Sequence, residues 1–277
     1  MEPWQAFLLG IVEGATEFLP VSSTGHLLVC QHLLGLPDSS AMRAFAIAIQ
    51  AGAILAVLGL YRARITQMAH GALGRNPAGK RLLIAVGVAF LPAAVLGTLF
   101  DDAIEQKLFG VWPVVAAWIA GGLLLVAVRR WSSERPGAVP LEKISLAQAL
   151  AIGVIQCLAM WPGTSRSLVT LMGALAVGLT LTAALEFSFL LGLVTLCAAS
   201  SYKLLDSYAA LSRDVGWWNF ALGLGSAWLF AWLSVRWMVA FVGRRGLVPF
   251  GWYRIAIGLG VGTWLLLGPH GAPTLTP

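Results

Sequence analysis

The stretch Glu13-Gly14-Ala15-Thr16-Glu17-Phe18-Leu19-Pro20-Val21-Ser22-Ser23-Thr24-Gly25-His26 interrupts an apolar run over residues 4–34. Pro20 removes a backbone donor and disfavours helix at the residue before it, so the run reads as two half-helices joined by non-helical backbone. The break recurs in residues 146–180, where Pro162-Gly163-Thr164-Ser165-Arg166-Ser167 divides a second apolar stretch. Irregular polar backbone at membrane depth is tolerated only where protein or water surrounds it. The two breaks therefore predict two re-entrant hairpins within a helical membrane protein. A local echo links them: Gly10-x-x-Glu13-x-x-x-Glu17-x-x-Pro20 stands beside Gly153-x-x-Gln156-x-x-x-Met160-x-Pro162.

Composition agrees with that reading. Of 277 residues 58% are apolar and 11% charged, with mean hydropathy +0.82, against ~25% charged in a soluble domain. A soluble globular domain is excluded, and no alternation of short strands suggests a β-barrel. Six runs, 41–60, 82–100, 112–128, 183–201, 218–238 and 250–268, approach or reach the ~17–25 residues that span a bilayer. The opening Met1-Glu2-Pro3-Trp4 is acidic where a signal peptide is basic, so the first segment is expected to belong to the fold. Cys30, Cys157 and Cys197 match no metal spacing and read as packing residues. Net charge +6 and pI ≈ 9.7 point to loops facing anionic membrane lipid, with no nucleic-acid partner expected.

Basic residues orient the spans, because Lys and Arg accumulate on the cytoplasmic side. Loops 61–81, 129–143 and 239–249 hold eleven: Arg62, Arg64, Arg75, Lys80, Arg81, Arg129, Arg130, Arg135, Lys143, Arg244 and Arg245. The alternate loops 29–40, 101–111 and 202–217 hold three, Lys107, Lys203 and Arg213. Helix 41–60 then starts outside and helix 183–201 inside. Segment 144–182 begins and ends on the cytoplasmic side, while segment 1–40 most simply enters and leaves from outside. The expected fold is an all-α polytopic membrane protein, an inverted-topology repeat of six spanning helices plus two re-entrant broken-helix hairpins. Residues 1–128 form the first repeat, 129–145 a cytoplasmic linker, 146–268 the second repeat and 269–277 a tail. Hairpins entering from opposite faces would bring their tips to one midplane site, with Arg166 within reach of Glu17 or His26.

The two motifs carry chemistry. Glu13 and Glu17 share a helix face one turn apart and repel unless a cation lies with them; carboxylate oxygens suit a hard divalent cation, Mg²⁺ or Ca²⁺. The competing reading is a solvated helix end. Ser22-Ser23-Thr24-Gly25-His26 offers hydroxyls and an imidazole, leaving open a serine nucleophile activated by histidine, or histidine itself as base or nucleophile. It also reads as a helix cap followed by an interfacial histidine. Pro162 to Ser167 resembles an anion cradle at a helix start, and Arg166, apart from the loops and helix ends that hold the other basic residues, can grip phosphate oxygens as a fork. It also fits a counter-ion for Glu13, Glu17 or Glu186. Glu186, inside an apolar span, is expected to hydrogen-bond a hairpin. His32, His70 and His270 are read as uninvolved, and Trp112, Trp217, Trp218, Trp237 and Trp252 as interfacial anchors.

With both motifs in view, the chain resembles the bacterial undecaprenyl-diphosphate phosphatase family, the membrane enzymes associated with bacitracin resistance. Residues 13–26 match its first signature, and Pro162 to Ser167 with Thr170 its second. Weaker matches at Ile49-Gln50-Ala51-Gly52, Glu186 to Leu191 and Tyr253-Arg254 extend along most of the chain. Departures at Ala46, Leu168, Leu181 and Val194 touch none of the central motif residues. The resemblance implies hydrolysis of undecaprenyl diphosphate to the monophosphate carrier and phosphate, with a divalent cation, on the outer, periplasmic side of the bacterial cytoplasmic membrane. It implies metal or acid–base roles for Glu13 and Glu17, a catalytic role for His26 with Ser23 nearby, and diphosphate binding by Ser22, Thr24, Ser165, Arg166, Ser167 and Thr170. A homodimer is compatible with it. Whether serine, histidine or a metal-bound water attacks phosphorus stays open, with direct water or His-assisted attack slightly preferred.

A transporter or flippase of an anionic lipid is the alternative from another class, because broken helices in inverted repeats also build transporters. A phosphatidic-acid-type phosphatase fails, since no later His with a nearby Asp follows Arg166.

Overall fold

A computed structural model describes residues 1–37, 39–108, 110–128, 137–210 and 215–267. His270, the tail, Arg129, Arg130, Arg135 and Arg213 lie outside the described residues. The two proline breaks produce the half-helices expected of them. The first hairpin is α1 (Pro3–Thr16) and α2 (Ser23–Leu33); the second is α7 (Leu146–Gln156), continued by a 3-10 turn Cys157–Met160, and α8 (Arg166–Ala176). Their outer ends carry capping boxes, Glu2 with Gln5 and Ser145 with Gln148, which satisfy backbone donors at the first turn.

The longer helices are α3 (Ser40–Leu60), α5 (Pro77–Leu108), α6 (Val111–Ala127), α9 (Leu181–Ala210), α10 (Trp217–Arg245) and α11 (Val248–Leu267). Five of these are long and apolar enough to cross a membrane. The sixth, α6, has 17 residues, the lower bound of a span. The protein is thus a multi-pass, all-α membrane protein. Segment 61–81 is more than a loop: Arg62–Ala72 forms α4, folded back on α5 so closely that Gly71 lies against the backbone at Lys80, and Gly79 against the carbonyl of Gln67. The sequence pattern hid this helix because basic residues on a short segment read as solvated chain.

Packing follows small residues. Gly10 and Gly14 of α1 lie directly on the backbone of α10 at Gly223 and Ala227, where any Cβ would collide, the close approach that holds helices together without a hydrophobic drive. Gly153 of α7 lies in the same way on α5 at Ala89. Further pairs join α3 to α10, α3 to α9 and α6 to α11. The largest core gathers Phe18, Ile152, Leu168, Leu171, Phe187 and Phe189 around the hairpin tips. Trp112, Trp217, Trp218, Trp237 and Trp252 are all substantially exposed, as anchors require. Glu186 departs from its expected partner: it pairs with Arg64 of α4 at 2.8 Å, and Arg64 also holds Glu142 at 2.7 Å. The fold-back of α4 delivers that arginine.

Candidate active site

The tips of the two hairpins meet. Each second half-helix begins at a serine in the left-handed region, Ser22 with φ 73° and Ser165 with φ 75°, a conformation that costs a non-glycine residue of order 1–3 kcal/mol and persists where its surroundings enforce it. Both serines cap: Ser22 Oγ accepts from the amide of Gly25, and Ser165 Oγ from that of Leu168. A hydroxyl carries one proton, so a directed chain follows. Leu168 N–H donates to Ser165, Ser165 to Ser167 at 2.9 Å, and Ser167 to the carbonyl of Leu19 at 2.6 Å. The second tip thus grips the first.

Glu17 is the centre of the junction. Its Oε1 accepts from Arg166 Nη2 at 2.7 Å, and its Oε2 accepts the hydroxyl proton of Ser23. Glu13 lies one turn earlier on α1, fully buried, with neither carboxylate oxygen hydrogen-bonded. The Arg166 guanidinium rests on the Phe18 ring at 5.3 Å, reaches the Ser188 carbonyl at 3.4 Å and leaves its buried Nε without a partner. Gly192 of α9 makes room for it, since a Cβ there would occupy the guanidinium. Unsatisfied donors and acceptors this deep call for a ligand or water.

His26 is oriented away from Ser23. Its Nδ1 donates to the Ser22 carbonyl at 2.6 Å, which leaves Nε2 to accept from the Tyr253 hydroxyl at 2.8 Å. The ring stacks on Tyr253 and meets Trp118 edge-on. Thr24 is exposed and His26 partly so, whereas Glu13, Glu17, Ser23 and Ser165 are buried; the site opens on the Thr24, His26 and Tyr253 side. Thr170 is fully buried and committed to the framework: it donates to the Arg166 carbonyl and accepts from Ser188.

The structure therefore brings Glu13, Glu17, Ser23 and Arg166 together, sets His26 and Thr24 at the mouth, places Ser165 and Ser167 where the second tip meets Leu19 of the first, and leaves Ser22 capping α2 and Thr170 bonded to Arg166 and Ser188. Arg166 is paired with Glu17 and not with Glu186. Two residues with a part here received no role from the sequence. Trp118, fully buried, donates from Nε1 to the Val21 carbonyl at 2.8 Å; its position mid-span, away from the interface, was the available signal. Arg254, fully buried in α11, was grouped with helix-end basic residues, although it stands well inside an apolar helix beside Tyr253.

An all-α, multi-pass membrane protein with a carboxylate pair, a hydroxyl and a guanidinium gathered at two half-helix tips is the class that fold and site define. Comparison with known proteins narrows it. The family described as bacitracin resistance protein BacA matches residues 6–260, and the chain belongs to that family. The undecaprenyl-diphosphatase of Sorangium cellulosum is 45% identical over 258 residues, covering 92% of this chain and 84% of that one. Undecaprenyl-diphosphatase 1 of Chromobacterium violaceum is 45% identical over 267 residues, 94% and 96% of the two chains, and the undecaprenyl-diphosphatase of Polaromonas naphthalenivorans 42% over 272 residues, 94% and 97%.

Proposed function

We propose that this protein is a membrane phosphatase that hydrolyses undecaprenyl diphosphate to undecaprenyl phosphate and inorganic phosphate, returning the lipid carrier to cell-wall synthesis. The observation that carries the reading is Glu17, which takes the Ser23 hydroxyl on one oxygen and Arg166 on the other, in a chain 45% identical to proteins of that name. A hydroxyl hydrogen-bonded to a carboxylate is poised to lose its proton as it attacks. Ser23 Oγ therefore bonds to the terminal phosphorus while Glu17 takes the proton, and the bridging oxygen leaves as undecaprenyl phosphate. Water then releases phosphate from the serine. Arg166 and the first turns of α2 and α8 stabilise charge on the phosphoryl oxygens, the larger part of such catalysis. His26, whose Nε2 lies toward the mouth without a proton, fits the base that takes a proton from the water releasing phosphate from the serine. We favour the serine route over water or His-assisted attack; its support is the hydrogen bond from Ser23 to the Glu17 carboxylate.

Glu13 and Glu17 fit a divalent cation, Mg²⁺ or Ca²⁺. The orphaned buried oxygens of Glu13 are suitable hard donors, and among the described residues no third His, Cys, Asp or Glu completes a cage. Substrate oxygens and water would fill the remaining positions, the usual manner for Mg²⁺. Bound there, the cation would offset charge on the transferring phosphoryl group.

The location we infer is the bacterial cytoplasmic membrane, with the site open to the periplasm. The bias of basic residues toward alternate loops supports it. We infer further that residues 1–128 and 146–268 are inverted repeats; support comes from α1 packing on α10 as α7 packs on α5, and from the twin left-handed serines.

The test is phosphate release from undecaprenyl diphosphate by purified protein, with and without chelator. Release that chelator abolishes is expected. Folded protein that binds the lipid without releasing phosphate would overturn the phosphatase reading in favour of a transporter, and release indifferent to chelator would overturn the cation.

A further inference from the structure

Arg254 is a guanidinium enclosed by protein whose hydrogen-bond partners among the described residues include no carboxylate. All of them are backbone carbonyls: Trp118 from Nε at 3.4 Å, Pro20 from Nη1 at 3.2 Å, and Ala117 and Gly163 from Nη2 at 2.8 and 3.0 Å. Two of these belong to α6. The other two belong one to each hairpin tip, and each lies two residues before the left-handed serine that opens α2 or α8. Where a helix is broken, its carbonyls lose their intrahelical donors and need others; Arg254 supplies them at both breaks with one rigid fork. The surroundings are cut to fit it. Gly121 lies against the guanidinium so closely that a Cβ there would strike Nη2, and Gly163 presents its carbonyl from a left-handed φ of 90°. The next residue back, Tyr253, holds His26.

We propose that Arg254 is a positioning residue, which fixes the separation of the two tips so that one diphosphate is held between Ser23 with Glu17 on the first tip and Arg166 on the second. The inference rests on the phosphatase reading above. Neither tip contains the whole site: hydroxyl and carboxylates come from the first hairpin, the phosphate-gripping guanidinium from the second. Among the described residues Arg254 is the side chain that donates to carbonyls of both tips and to α6, and a lysine, a point donor without a planar fork, cannot reproduce that pattern. A misplacement of about 1 Å between reacting groups can cost ~10²-fold in rate. What distinguishes positioning from plain structural support is the ability to recognise two linked phosphoryl groups at once.

The experiment uses the full-length protein in detergent, with methylenediphosphonate and inorganic phosphate as competing inhibitors of undecaprenyl diphosphate hydrolysis, in the wild type, Arg254→Lys and Gly121→Ala. In the wild type the diphosphonate is expected to inhibit at about tenfold lower concentration than phosphate, and Arg254→Lys to lower kcat by about ten- to a hundredfold. In that variant the diphosphonate loses its advantage while phosphate inhibits as before. A decrease in kcat that parallels loss of thermal stability, with the diphosphonate preference intact, would show Arg254 to be framework only. If Arg254→Lys does not fold, Gly121→Ala decides the matter, because it keeps the charge and crowds the fork; an undiminished preference there overturns the proposal. Wild-type protein that binds both inhibitors yet releases no phosphate from the lipid would instead refute the phosphatase reading, and this inference with it.

Discussion

Arg166 and Glu17 stand 149 residues apart in the chain and 2.7 Å apart in the fold. The pair joins the start of one half-helix to the end of another, and everything around it serves that contact: Phe18 beneath the guanidinium, Gly192 beside it, Ser23 on the far oxygen of Glu17. A buried ion pair of this kind is weak evidence for stability, because desolvation offsets much of the attraction. Its value lies in placing two reactive groups.

Arg166→Lys keeps the charge and removes the fork. Each charge-assisted hydrogen bond lost is worth roughly 1.5–3 kcal/mol, or about ten- to a hundredfold in kcat/KM. That loss is expected in phosphate release, with the thermal midpoint little changed because lysine still reaches Glu17. A fully active variant would leave the helix starts and the cation as the phosphate-binding elements.

Glu17→Gln is expected to nearly abolish hydrolysis while the protein still inserts in the membrane, since the proposed base and the proposed cation ligand would both be lost. Ser23→Ala should do the same for a different reason. Acid-quenching the wild type during turnover of β-phosphorus-labelled substrate should leave label on protein, and Ser23→Ala should leave none. Label that persists in Ser23→Ala, or never forms in the wild type, would return the attack to water or His26.

Gly192→Ala places a methyl group in the space of the Arg166 guanidinium. Gly192 lies within the α9 span, where alanine is a better helix former than glycine, so expression and helicity measured by circular dichroism should match wild type. Activity should fall by about tenfold or more, the cost of losing one charge-assisted contact. Wild-type kinetics would mean that the guanidinium has another place to rest.

Trp118→Phe retains the ring beside His26 and strands the Val21 carbonyl. An unsatisfied buried acceptor costs about 1–3 kcal/mol, so the thermal midpoint should fall and kcat with it, as the Val21-Ser22-Ser23 backbone loosens. An unchanged midpoint would show that water replaces the indole.

Near the start of α7, the backbone amide of Glu142 and then Arg64 hold the Glu142 carboxyl below the usual carboxylate range. A depressed folded-state value means stability that is present above the ordinary carboxylate pKa and lost as pH falls through the folded one. Glu142 is half exposed, so solvent screening keeps the effect small. Thermal midpoints measured down to acid pH should decline slightly more in wild type than in Glu142→Gln; parallel curves would show the Arg64–Glu142 pair to be inert.

Much of the architecture is legible in the sequence of residues 1–277. Pro20 and Pro162 end helices by chemistry local to the chain, and the half-helices stop where they should. Apolar run length announced the spans, and Glu13, Glu17, Ser23 and Arg166 stood out because ionisable and hydroxyl groups at membrane depth are costly. What the sequence did not determine was which partner each polar group takes. Glu186 turned to Arg64 because α4 folds back, a matter of glycine contacts between α4 and α5 rather than of any motif. Ser165, Ser167 and Thr170 read the same whether a hydroxyl faces phosphate or a neighbouring protein group, and the meeting of the tips is what set Ser167 on the Leu19 carbonyl. Trp118 and Arg254 had no assigned role until α6 and α11 packed together and enclosed them. Helix breaks and spans follow from forces along a few residues of chain, whereas hydrogen-bond partners are chosen by surfaces brought together from opposite ends of it, and that choice belongs to the tertiary structure.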